Sequence, residues 1–387
     1  MVFLLVQFGS SFSEYPIFSY NSQKTSFLIF FNTYDLLSIL TFSVTMTVAG
    51  FWKLLKQQDI TPTTYDLKKL NLGRKAIINM DASIYIWLCL KNSKYIEELS
   101  CDYAINYDIS CYLHRYFEDY RNFFAKYNCE LHLVFDGACH PNKEKLQKER
   151  REGSAKAKLQ LKEFIQQFEF KYSDSALNNI LCNIVRPDGP IYACVRDWAI
   201  KSHIKVIGAP FEADFQLAYQ FNHKMCDFVL SSDGDLVLYG ASLIKSIDFS
   251  KGKVEVYSWK HVLDLMQSLF LNLWDDVKDA DLQILHICSF AIFLGCDYCS
   301  HVAELGPAHV VELFKTKWIG SNCCRSTRMQ VLEELSQRNY CFNSGKGKNK
   351  RVTGRLDYKK EFMTALCQMI HKIMIYMKKV LKSYWRL

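Results

Sequence analysis

Residues 204–235 read IKVIGAPFEADFQLAYQFNHKMCDFVLSSDGD. An apolar run, Ile204–Ala209, meets Pro210 and then the acidic pair Glu212 and Asp214. A helical stretch, Ala213–His223, leads to a second apolar run, Phe228–Leu230, and a second acidic pair, Asp233 and Asp235. Short apolar runs of this kind read as strands buried on both faces. The unit recurs upstream. AIINM (Ala76–Met80) ends at Asp81, and LHLVF (Leu131–Phe135) ends at Asp136 and Gly137. Helical patterns at Ser110–Lys126 and Ile191–His203 precede the second and third runs. Alternating strands and helices predict an α/β fold with a parallel sheet flanked by helices.

The acids fall where such a sheet binds ligands, beyond the carboxyl ends of its strands. One Asp after one strand is an ordinary turn or cap residue. Four successive strand ends carrying acids, two of them as acid-x-acid pairs, call for more than capping. Asp297, after the apolar helical run Leu282–Leu294, is a seventh candidate. Seven carboxylates in one pocket repel one another unless cations neutralise them. Hard oxygen donors suit Mg²⁺ or Mn²⁺, and two such ions support in-line attack on a phosphodiester. Competing signatures are missing: there is no G-x-x-x-x-G-K-[ST], no G-x-S-x-G and no H-E-x-x-H.

Composition agrees with a large folded chain. Of 387 residues, 49% are hydrophobic and 23% charged, so a disordered chain is excluded. The formal charge is +8. Lys143–Lys162 holds eight basic and three acidic residues, and Gly345–Lys360 holds seven and one. Basic stretches on a near-neutral body predict a polyanionic partner. Fifteen scattered cysteines fit reduced thiols, and the single C-x-x-C, Cys296 and Cys299, lacks a complement, so no zinc site is expected.

Several linked motifs, in order, resemble the flap endonuclease/XPG family of structure-specific 5′ nucleases. They are VFDGACHPNKEKLQKERR, GAPFEADFQLAYQ with SSDGDLVLYG, and FLGCDYCSHVAELGPAHVVELF, within roughly Met46–Phe314. The wording PFEADFQLAY is closest to the exonuclease 1 branch. The resemblance implies a PIN-like sheet with a helical arch and a helix–two-turn–helix DNA-binding segment. It implies that Asp81, Asp136, Glu212, Asp214, Asp233, Asp235 and Asp297 hold two Mg²⁺ (or Mn²⁺). It places Lys143 and Arg150 on the arch against the scissile phosphate, as catalytic cations. Residues seven apart on a helix share a face, so both can lean on one phosphodiester. Trp87, Lys145, Lys148, Arg151, Gly306 and His309 fall at DNA-contacting positions, and a K⁺ ion accompanies the helix–two-turn–helix segment. Trp87 has a rival reading as core packing, since Ile84, Trp87 and Leu88 share a helical face. The implied substrate is DNA with a 5′ end, flap or nick, in the nucleus, bound by a monomer. No clear sliding-clamp motif ends the chain.

Two departures stand out. The family pattern Gly-hydrophobic-Gly is here Glu304-Leu305-Gly306, which predicts a weaker grip on duplex backbone. The family start, Met-Gly, is here Met46-Thr47, preceded by 45 residues whose only charges are Glu14, Lys24 and Asp35. We read residues 1–45 as an apolar extension upstream of the working start. The rival is a membrane anchor over Ser26–Val48, interrupted by Asn32 and Asp35.

The expected organisation is the extension 1–45, an N-terminal nuclease region 46–136, a basic helical arch 137–190, an internal nuclease region 191–297, the helix–two-turn–helix segment 298–330, and a basic loop with an amphipathic helix, 331–387. The arch is expected to be helical to about Gln167 and to order around a threaded strand; its alternative is a fixed helical pair packed on the sheet. Two rivals to the nuclease reading are a non-catalytic nucleic-acid-binding member of the same fold and a membrane-associated interaction protein.

Overall fold

The computed structural model describes residues 48, 50–100, 106–138, 144–167, 175–187, 189–296, 301–302, 305–319, 330–332, 335, 340–341, 352–353, 362 and 365–366. The 1–45 extension, Met46, Lys143, Asp297, Cys299, Glu304 and all of the basic loop Lys346–Lys360 except Val352 and Thr353 lie outside this set.

In chain order, the main elements are α1 (Phe51–Gln57), β1 (Thr63–Asp66), β2 (Ala76–Asp81), α2 (Ala82–Lys91), α3 (Tyr107–Lys126), β3 (Cys129–Phe135), α4 (Glu144–Gln167), α5 (Ser175–Ile184), α6 (Gly189–Lys201), β4 (Lys205–Gly208), α7 (Ala213–Asn222), β5 (Phe228–Leu230), α8 (Asp235–Leu238), β6 (Leu243–Asp248), β7 (Lys253–Tyr257), α9 (Trp259–Phe270), α10 (Ala280–Leu294) and α11 (Pro307–Leu313). The seven-stranded sheet has the order β1-β7-β6-β5-β2-β3-β4. β6, β5, β2, β3 and β4 run parallel, whereas β7 and β1 are antiparallel to their neighbours. The predicted parallel sheet is thus confined to the five strands from β6 to the β4 edge. The reason is local: β6 and β7 are joined by a tight turn at Phe249–Gly252, and a hairpin cannot connect parallel strands. Gly252 takes φ 69°, and a Cβ there would meet the Tyr127 ring at 2.4 Å. β1 (TTYD) has no apolar alternation, and the sequence reading missed it.

The sheet has two apolar faces, and the strands alternate between them. Ile78, Met80, Leu131, Leu133, Phe228 and Leu230 enter one core with α2, α3 and α6. Val134 and Val229 enter the other, with α1, α7, α9 and α10. This is the period of two that a strand imposes. α3 is capped by Asn106, whose Oδ1 accepts from Ile109 N at 2.8 Å. It buries Ile109, Leu113, Phe117, Tyr120 and Phe124, one stripe at helical spacing. α10 has no polar stripe, and such a helix must lie inside; Ile284, Ile287, Cys288 and Phe290–Leu294 are buried. Its far end meets α11 and the following turn through Phe290, Phe293, Phe314 and Trp318, with Phe290 and Phe314 centroids 5.1 Å apart. Phe362, in the helix predicted near the chain end, closes on Phe293 at 4.9 Å.

The basic stretch is helical throughout its described part, Glu144–Gln167, and the residues that follow, 168–174, lie outside the described set. α4 and α5 form a packed pair, with Ala157, Leu161, Leu177, Leu181 and Ile184 buried in the same core as α3. Ser154 Oγ donates to the Ile184 carbonyl at 3.1 Å, and Arg186 donates to the Arg150 carbonyl. The described arch residues therefore adopt the fixed-pair arrangement. Cys89, Cys129, Cys226 and Cys288 are buried free thiols. Among the described residues, no helix is long and apolar enough to cross a membrane; the stretch 26–47 is outside them.

Candidate functional site

The strand order fixes where a site can form. From β2 the chain moves through β3 to β4 on one side, then returns to place β5 on the other side of β2. That reversal opens a crevice beyond the carboxyl ends of β2 and β5. Register brings specific residues there: Met80 pairs with Leu230, so Asp81 and Ser231 come next, side by side. Ser231 Oγ donates to Asp81 Oδ2 at 3.2 Å and accepts from Asp233 N at 3.2 Å. One buried hydroxyl thus ties together acids 152 positions apart in the chain.

Four of the carboxylates are aimed by backbone amides. Asp81 caps α2, with Oδ1 accepting from Ile84 N at 3.0 Å. Asp136 Oδ1 accepts from Ala213 N at 2.7 Å, which caps α7 from the neighbouring strand. Asp233 Oδ1 accepts from Asp235 N at 3.0 Å, and Asp235 Oδ1 from Val48 N at 2.8 Å. Capping and site formation are therefore not alternatives, because the same bond that caps a helix also fixes a carboxylate's direction. Glu212 sits at the N-cap of α7 without a side-chain capping bond, and Asp214 is in its first turn. The β3–β4 junction is held by Gly137, whose N–H donates to the Phe211 carbonyl; a Cβ there would stand 2.0 Å from the Ala209 carbonyl oxygen.

The electrostatics record the crowding. Burial, and then the charge of Asp136, push the Asp81 carboxyl up to about 7. Tyr192 is driven to about 12 by burial first and then by Asp136, with Asp81 also contributing. Tyr239, fully buried, is raised well above its ordinary value by burial and then by Asp235, Asp214, Asp233 and Glu212 together. Two phenols therefore report two overlapping acid groups, Asp81/Asp136 and Glu212/Asp214/Asp233/Asp235. Among the described residues, no three His, Cys, Asp or Glu donors are drawn in to ion-holding distance of one another. Six of the seven predicted acids are brought to one sheet edge; Asp297 lies outside the described residues. The donor set fits a hard divalent cation, since it is all oxygen and its most buried member resists ionisation without one.

The remaining predicted positions are more dispersed. Lys145 is in α4, Lys148 and Arg151 are exposed on it, and Arg150 is half-buried. Arg186, which the sequence reading missed, is lowered by burial and then by the charges of Arg150 and Arg151, so three guanidinium groups share one patch. Only spatial proximity reveals that patch, since Arg186 lies in a separate segment. Trp87 is half-buried on α2 with the Lys91 ammonium 4.7 Å over its ring. Gly306 caps α11 at φ −77°, an ordinary backbone angle, and His309 is exposed. Lys245 on β6, also missed, donates to the Ser232 carbonyl at 3.1 Å.

A parallel α/β sheet with carboxylates from four strands meeting at its switch point defines a class of protein arranged to bind hard cations. Residues 203–297 match the XPG I-region family model. Exodeoxyribonuclease 1 of Schizosaccharomyces pombe is 26% identical over 226 residues, covering 57% of this chain and 36% of its own length. Flap endonuclease 1 of Theileria parva is 26% identical over 194 residues, covering 50% of this chain and 36% of its own length. The chain thus spans about a third of the length of these curated relatives. The catalytic core of Rad2 in complex with DNA substrate aligns with a TM-score of 0.47 at 18% identity, covering 74% of this chain and 73% of that one. Through its internal region, the chain is similar to the flap endonuclease/XPG family.

Proposed function

We propose that this protein is a divalent-cation-dependent, structure-specific nuclease that hydrolyses DNA phosphodiesters at or near a 5′ end. The observation that carries the reading is the convergence of Asp81, Asp136, Glu212, Asp214, Asp233 and Asp235 on the switch point of the sheet. With Asp297 they would hold Mg²⁺ or Mn²⁺. Bound ions supply a water of lowered pKa and charge to offset the transition state.

The chain's own residues do the positioning. Ser231 and the amides of Ile84, Ala213 and Asp235 fix the carboxylates before anything binds, so no reorganisation is needed when it does. Lys143 and Arg150, with Arg151 and Arg186 beside Arg150, would hold the phosphate from the arch side. Trp87 would stack on a base, and Gly306 and His309 would meet the duplex. The sequence similarity to Exodeoxyribonuclease 1 and Flap endonuclease 1 supports exonuclease or flap-endonuclease action, and a nuclear repair role is part of the same proposal.

The test is purified protein on 5′-flap, nicked, blunt and single-stranded DNA, with product lengths measured in Mg²⁺ and in EDTA. Cleavage in Mg²⁺ alone is expected, and Asp233→Ala should lower turnover by at least about a thousandfold with duplex binding nearly unchanged. Near-normal turnover in that variant would sink the assignment of the acids.

A further inference from the structure

Three polar side chains sit in the apolar core behind the acidic edge, each no more than 5% exposed: Asn79, His132 and Gln220. Asn79 interrupts the apolar run of β2 and His132 that of β3, and register makes them direct neighbours. By strand alternation they share the face that presents Ile77 and Val134 to the core with α7. Asn79 Nδ2 donates to Gln220 Oε1 at 2.6 Å, and its Oδ1 faces His132 Nδ1 at 3.1 Å. His132 Nε2 in turn meets Oε1 of the half-exposed Glu130 at 2.8 Å. One chain of hydrogen bonds thus runs from the surface at β3, through β2, to α7.

These three elements carry acids of the candidate site. β2 ends at Asp81, β3 leads into Asp136, and α7 has Glu212 at its cap and Asp214 in its first turn. The start of α7 is fixed by an acid of the site itself, since Ala213 N donates to Asp136 Oδ1 at 2.7 Å. Gln220 lies two turns on, about 10 Å along the helix axis. Between them the buried Leu217 and Ala218 pack without directional preference, as apolar contact does. The Asn79–Gln220 bond is directional, so it limits how far α7 can turn or slide over the sheet. It does so without using a site carboxylate.

We propose that Asn79, His132 and Gln220 are positioning residues for the acidic edge: they hold α7 in one place on β2 and β3, and so hold Glu212 and Asp214 in line with Asp81 and Asp136. The inference rests on reading the acids as a cation site and adds the device that keeps its parts aligned. Burying an imidazole and two amides gains little stability over apolar side chains of similar volume; what it adds here is a single arrangement of helix on sheet. Replacing all three by apolar residues should therefore leave the protein as stable as before, or more so, while loosening the cation site. Loss of packing alone would move the two properties together.

The experiment compares wild type with the triple variant Asn79→Val/His132→Leu/Gln220→Met and with the single variants His132→Leu and His132→Gln. Urea unfolding in EDTA reads stability, calorimetric titration of Mn²⁺ with no DNA present reads cation affinity, and amide hydrogen exchange reads local opening of α7. The triple variant should unfold at the wild-type urea concentration or above. It should nevertheless bind Mn²⁺ about tenfold more weakly and exchange the Ala213–Asn222 amides about tenfold faster. His132→Leu should also weaken Mn²⁺ binding, and His132→Gln, which keeps an N–H for Asn79 Oδ1, should restore it to within about twofold of wild type. A triple variant that binds Mn²⁺ as wild type does, or whose weaker binding tracks lost stability, overturns the positioning role and leaves the acids' reading intact. Should the triple variant not fold, the single variants decide, and equal Mn²⁺ affinity in wild type, His132→Leu and His132→Gln overturns the role in the same way. A wild type that binds no Mn²⁺ overturns both.

Discussion

Asp81 shows what the fold costs at the scale of one residue. Its side chain is 3% exposed, caps α2 and accepts from Ser231, yet burial and Asp136 raise it to about 7. A carboxyl raised in the folded state holds its proton there at pH values where the unfolded chain has lost it. Its contribution to stability is therefore full below pH 4 and lost as pH rises through about 7. In EDTA, wild-type stability from urea unfolding should fall across that window. Asp81→Asn keeps a capping oxygen for Ile84 N and removes the charge, so it should flatten the slope and gain on the order of 1–3 kcal/mol at pH 8. A wild-type slope of zero would remove the claim that this carboxyl is crowded. The acids themselves were legible from the sequence because each follows a short apolar run. Their hydrogen-bond partners were not, since Ser231, Val48 and Ala213 meet them only through register and crossover.

At the scale of elements, helix ends and strand ends do the placing. The predicted elements and observed ones agree closely where one side of the pattern is apolar throughout: Phe228–Leu230 is reproduced, and the helix before it, predicted over Ala213–His223, runs Ala213–Asn222. The agreement fails where pairing rather than pattern decides, as in β1, whose four residues become a strand only because β7 offers an open edge. The α4–α5 pair illustrates packing that charge alone conceals. Its surface is basic, but Leu161, Leu177 and Leu181 are buried. Leu181→Ala should destabilise the protein by about 2–4 kcal/mol by leaving a cavity. Chemical unfolding would check it, and a loss under about 0.5 kcal/mol, the size of a surface substitution, would mean that the pair stands off the body.

For the whole molecule, the sheet divides two apolar cores and gathers its acids at one edge. Such an edge is a site of stored repulsion that a cation relieves. Mg²⁺ at about a hundred times its dissociation constant should add roughly 2.7 kcal/mol of stability, a rise of a few degrees in Tm over EDTA. Calorimetric scans with and without the ion would read it, and an unchanged Tm at millimolar Mg²⁺ would count against a preformed cation site.

The sequence by itself determined that short strands buried on both faces alternate with helices and that their ends carry acids. Those properties follow from local periodicity, which one chain segment displays alone. The tertiary structure decided which strand ends become neighbours: Asp81 beside Ser231, Arg186 beside Arg150, Lys245 beside the Asp233 loop, and a hairpin closing the sheet with antiparallel strands. Such partnerships depend on crossover order and register between distant segments, and the same local pattern is compatible with many of them.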